Sequence, residues 1–166
     1  MRLSSFFLKM GVPDKLAGDL SLFLVLVAIS LMFGMFVGRF RLANILINIY
    51  IALAILTVIP KDFLSLYANS DLLIFLLLLT VLTIAGDNLF DIHISSSGSG
   101  FFWRLVVMSF LEVGLIFSII ISMIPSSKLL EYVSQNMYQY FASPSAKVFW
   151  MAAPLVFLFF INKKAK

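Results

Sequence analysis

Glu112 falls near the middle of a run from about residue 104 to 124 that carries no other charge past Arg104. An ionised carboxylate inside such a run costs a few kcal/mol or more unless it is paired or neutralised. Two chemistries suit it: a relay that passes a proton or cation by alternating between charged and neutral forms, or a hydrogen-bonded carboxyl that fixes helix packing. No companion acid sits inside the other apolar runs, which favours the packing role. Asn44 and Asn48 are four residues apart, so their amides share one helix face and can bond a neighbouring helix, Glu112 being one candidate partner. Gly34 and Gly38 form a GxxxG pattern, which permits close helix approach within the chain or between copies.

Asp87, Asp91 and His93 are residue types that bind zinc or related ions, but no fourth ligand accompanies them, and a solvated helix end accounts for them. Gly98-Ser99-Gly100 lacks the remainder of any phosphate-binding fingerprint. The chain has no cysteine, which excludes thiol catalysis, disulfides and thiolate metal sites, and its one histidine is not spaced with a nucleophile. No metal, cofactor or enzymatic activity is therefore expected.

These residues are carried by long apolar elements. Of the 166 residues, 62% are hydrophobic and only 12% charged, too few charges to solvate a soluble fold of this size. The mean hydropathy of +1.08 points the same way. The expected architecture is a single all-α integral membrane domain over residues 1–166, with four to five transmembrane helices and amphipathic interfacial helices. The spans are predicted at about 20–38, 42–59, 72–90, 104–124 and 146–162, the last marginal in length and interrupted by Pro154. As one helix the first two runs would reach about 60 Å, twice the bilayer, so the chain must reverse at Gly38-Arg39-Phe40-Arg41 as a helical hairpin. Pro13 and Asp14 offer a helix start, and without a cleavage site the first span is expected to stay in the mature protein.

Two segments are predicted to lie on the membrane surface. Residues 2–12 put Leu3, Phe6, Phe7 and Met10 on one helical face beside Arg2 and Lys9. Residues 127–141 put Leu130, Val133, Met137 and Phe141 on another, with Ser126 or Ser127 as the cap. The net charge of +4 comes from bases that punctuate the ends of apolar runs, which fits lipid headgroups and not nucleic acid. Arg39, Arg41, Trp103, Arg104, Lys163 and Lys164 are the expected interface anchors. Five spans would leave six Lys and Arg on each side; the compact turn and tail argue that Arg39, Arg41 and the carboxy-terminal cluster face the cytoplasm.

An apolar span, the Gly38-Arg39-Phe40-Arg41 turn, two further spans, a Gly/Ser linker at 95–100 and a span beginning near Phe102 together resemble the layout of the colicin V production protein (CvpA) family of small bacterial inner-membrane proteins. The likeness covers about residues 20–125. It implies a non-enzymatic protein of the bacterial inner membrane, associated with secretion or envelope homeostasis, and it supplies no catalytic residues. The leading expectation is a membrane protein that acts through packed partners or as a homo-oligomer. The competing one is a small channel, transporter subunit or holin-like pore former whose path is lined by Glu112, Asn44 and Asn48.

Overall fold

In hydrocarbon every backbone polar group must be satisfied within the chain, and helices do this segment by segment. Helices are the regular elements found among the described residues. The computed structural model describes residues 7, 9–37, 41–60, 70–89, 101–130 and 133–163. In chain order the helices are α1 (Asp14–Val37), α2 (Leu42–Val58), α3 (Ser70–Leu89), α4 (Phe101–Met123), α5 (Ser126–Leu129), α6 (Gln135–Ala142) and α7 (Pro144–Lys163).

Three of them hold stretches long and apolar enough to cross a membrane: Ala17–Val37, Phe102–Met123 and Pro144–Ile161. The apolar stretches Leu42–Val58 and Ser70–Gly86 occupy the places expected of two more spans but are shorter. At ~1.5 Å per residue, 24 residues give α1 a length of about 36 Å and 17 residues give α2 about 26 Å. The outward faces of the long helices are mostly apolar, as Phe36 at 82% exposure and Phe159 at 66% illustrate. Such faces belong against lipid.

α1 starts at Asp14, directly after Pro13, as the sequence predicts. Ahead of it the Phe7 carbonyl accepts bonds from the amides of Met10 (3.1 Å) and Val12 (3.2 Å), and Gly11 adopts φ 83°. A left-handed glycine with an amide reaching back five residues is a Schellman-type helix stop. Of the surface helix expected over residues 2–12, only residues 7 and 9–12 lie among those described.

α4 is the hub. It packs along α1, α7 and α6 and, more sparingly, α2 and α3, while α2 and α3 pair with each other. Lipid tails are as apolar as leucine, so association depends on close packing and on polar contacts. Three of these pairs supply a glycine socket. Gly34 of α1 lies against Ser109 of α4, where an added Cβ would meet the Ser109 Oγ and come within 3.1 Å of its Cβ. Gly86 of α3 receives the Asn48 amide of α2, at 2.9 Å from the same hypothetical Cβ. Gly114 of α4 receives the Trp150 ring of α7.

The amphipathic segment after Pro125 departs from expectation. One continuous helix over 127–141 is replaced by the short α5 and the separate α6. The N-cap position of α5 falls on Pro125, without a side-chain bond, and not on Ser126 or Ser127, whereas Ser134 caps α6 by accepting from the Met137 amide at 3.2 Å. Ser134 takes an extended conformation, φ −66° and ψ 157°, which breaks the helical path and places its hydroxyl over the first turn of α6. Met137 and Phe141 are buried as predicted, but Leu130 stays 47% exposed.

Candidate functional site

Hydroxyls along the helices mostly close on their own backbone, which removes them as recognition groups. Ser30 donates to the Val27 carbonyl (2.8 Å), Ser109 to Leu105 (2.9 Å) and Thr83 to Leu79 (2.7 Å). Asn48, Glu112, Ser118 and Tyr50 are different, since they reach between helices or stand alone in the interior.

Asn48 is buried on α2. Its Nδ2 donates to the Leu82 carbonyl of α3 at 3.2 Å, and Gly86 one turn further on leaves room for the amide. The partner of Asn48 is thus α3, not Glu112, which corrects the expected pairing. Asn48 Oδ1 is buried without a hydrogen-bonding partner among the described residues. Asn44 is half-buried on the preceding turn.

Glu112 is 0% exposed, and neither carboxyl oxygen has a hydrogen-bonding partner among the described residues. It lies on α4, within electrostatic reach of Tyr50 of α2. The Tyr50 hydroxyl is already committed, donating across to the Met151 carbonyl of α7. That carbonyl follows the Trp150 carbonyl, to which Pro154 has no amide to donate, although α7 continues through the proline. A phenol from α2 thereby bonds the α7 backbone in the turn before its proline.

Trp150 anchors the other side of α4. Its Nε1–H donates to the Tyr140 carbonyl at 3.0 Å, and its ring stacks on Phe141 with centroids 5.0 Å apart and planes 12° from parallel. Phe110 and Phe149 pack at 6.1 and 5.6 Å from the same ring. Ser118 of α4 donates to the Phe141 carbonyl at 2.5 Å, tying the end of α6 to the hub. Lys147 is half-buried and, with Ser118 and Ser122, lines a small cleft of about 150 Å³.

Other predicted positions are placed without converging on the polar group. Gly34 packs on α4 and not within a hairpin with α2; Gly38 and Arg39 lie outside the described residues. Arg41 is exposed at the start of α2, Trp103 is 70% exposed, Arg104 is half-buried, Lys163 ends α7 and Lys164 lies outside the described residues. Among the described residues no group of three or more His, Cys, Asp or Glu could hold a metal; Asp91 and His93 lie outside them. Trp150, Gly114 and Tyr50 are the contacts that sequence reading missed. Of these only Trp150 carried a signal, as a tryptophan inside an apolar run close to a proline.

Compared with known protein families, curated proteins and solved structures, the chain matches none.

Proposed function

We propose that this chain is a multi-pass protein of the bacterial inner membrane, with α2 and α3 crossing beside the three long helices, that acts non-enzymatically through helix packing. Its partners are other membrane proteins or further copies of itself, in secretion or envelope homeostasis, as the CvpA-like layout implies. The observation that carries this reading is the division of labour between surfaces. Polar groups such as Asn48, Ser118, Tyr50 and Trp150 are spent on holding the chain's own helices together, while its outer faces are apolar. Such a molecule communicates through its shape within the bilayer.

Site-specific photocrosslinkers at Phe36 of α1 and Phe159 of α7, both strongly exposed, test this in native membranes. Discrete protein adducts are expected from at least one position. Lipid adducts alone from both would sink the reading.

The two unpartnered oxygens of Glu112 favour a second reading, a channel or transporter subunit in which the carboxyl meets a proton or cation. Flux through reconstituted vesicles that disappears in Glu112→Gln supports it. Flux indifferent to that change, or absent from the native protein, removes it.

A further inference from the structure

Between α1, α6 and the first turns of α7 lies an open cleft of about 820 Å³, inside the size range of sites that hold small molecules. Its walls are aromatic, with Phe23 of α1, Phe110 of α4, and Phe149 and Trp150 of α7. One charged residue lines it. Asp19 is half-buried, and Oδ1 of its carboxylate is buried without a hydrogen-bonding partner among the described residues. Polar neutral groups supply the remainder of the rim, notably Gln139 and the Ser143 and Ser145 hydroxyls, which lie 3.3 Å apart.

Depth matters as much as composition. Asp19 is five residues into α1, ~7.5 Å along the helix from its first residue. α6 is the amphipathic element of the fold, with Met137 and Phe141 inward and Gln139 and Tyr140 exposed, as expected of a helix lying in the headgroup plane. The cleft therefore combines an aromatic wall with a few polar groups at the level of α6 and the start of α7. An occupant must be apolar at one end and at the other carry a hydrogen-bond donor with positive charge for Asp19, together with acceptors for the serine hydroxyls.

We propose that this cleft binds one phospholipid with a primary ammonium headgroup, a phosphatidylethanolamine. Its acyl chain lies against Phe23, Phe110, Phe149 and Trp150, its ammonium donates to the Asp19 carboxylate, and its phosphate accepts from Ser143 or Ser145. A quaternary headgroup carries the same charge but no N–H to donate, so phosphatidylcholine fits worse. An anionic phosphatidylglycerol meets the Asp19 charge with its own. The site stands apart from Glu112 and does not depend on the partner reading above.

Trp150 reports on occupancy, because the chain has two tryptophans and Trp103 is 70% exposed on α4, outside this cleft. Full-length protein carrying Trp103→Phe is reconstituted in phosphatidylcholine vesicles with increasing mole fractions of acyl-brominated phosphatidylethanolamine, phosphatidylcholine or phosphatidylglycerol, and Trp150 emission is recorded. Half-maximal quenching by the ethanolamine lipid is expected at about tenfold lower mole fraction than by the other two, the worth of one charge-assisted hydrogen bond. Asp19→Asn should bring the three curves together. The unsubstituted comparison needs no change at Asp19, so a folding defect in that variant does not spare the proposal. Superimposed curves for the native carboxylate mean annular lipid only and overturn it. So does an ethanolamine preference that survives Asp19→Asn, or emission that no brominated lipid quenches.

Discussion

Gly114→Ala puts the socket beneath Trp150 to the test. The added methyl would lie 2.6 Å from two ring carbons, Cε3 and Cη2, and closer still to Cζ3. The ring has little freedom to retreat, since Phe141 stacks on it, Phe110 and Phe149 flank it, and its N–H is bound to the Tyr140 carbonyl. Moving it loses about 1 kcal/mol of hydrogen bond and about 1 kcal/mol of aromatic pairing. Residual strain in α4 and α7 adds about 1–2 kcal/mol. Alanine returns about 1 kcal/mol through its better helix propensity. The net loss is about 2–3 kcal/mol. Gly18→Ala is the control, because no heavy atom lies within 4 Å of its hypothetical Cβ; there only the propensity gain of up to about 1 kcal/mol remains. Unfolding both variants in mixed detergent, in a Trp103→Phe background and followed by Trp150 emission, should separate them by about 3–4 kcal/mol. Gly114→Ala as stable as Gly18→Ala would refute the socket.

Three further outcomes follow from other contacts. Asn48→Ala should cost about 0.6–1.7 kcal/mol in the same unfolding assay, and Gly86→Ala should become nearly harmless in the Asn48→Ala background; additive costs would mean that the two residues do not share a contact. Ser134→Ala should cost about 1 kcal/mol and raise amide exchange in the first turn of α6, the Met137 amide above all; unchanged exchange there would deny the cap. Glu112→Met, similar in size and without a polar group to satisfy, should leave stability within about 1 kcal/mol of the native protein, since the carboxyl has no donor among the described residues to lose; a drop of several kcal/mol would reveal a partner that Glu112 holds.

Helix placement was legible in the sequence because lipid makes length and apolarity nearly sufficient. The runs predicted at 42–59 and 104–124 appear as Leu42–Val58 and Phe101–Met123. Partner choice was not legible. Helices apolar on every side carry no stripe to say which face turns inward, so Gly34 gave no hint that it would meet α4, nor Asn48 that it would meet α3. The burial of Glu112 follows from its place in an apolar run, but the absence of a donor for it among the described residues does not. The break between α5 and α6 went unread for a similar reason. Ser126, Ser127 and Ser134 are all good caps by type, and only tertiary placement decides among them.

Pro154 gives α7 two allegiances. Before the proline, Trp150 fastens the helix to α4; beyond it, Ile161 packs with Ala43 at the start of α2. A rod held at two points by different neighbours would transmit every relative movement of those neighbours along its whole length. A rod with a joint between the two points does not. Pro154 leaves the Trp150 carbonyl without its usual amide donor, so this is the point between the two attachments where bending α7 costs least, and the Tyr50 hydroxyl bonds the carbonyl next to it.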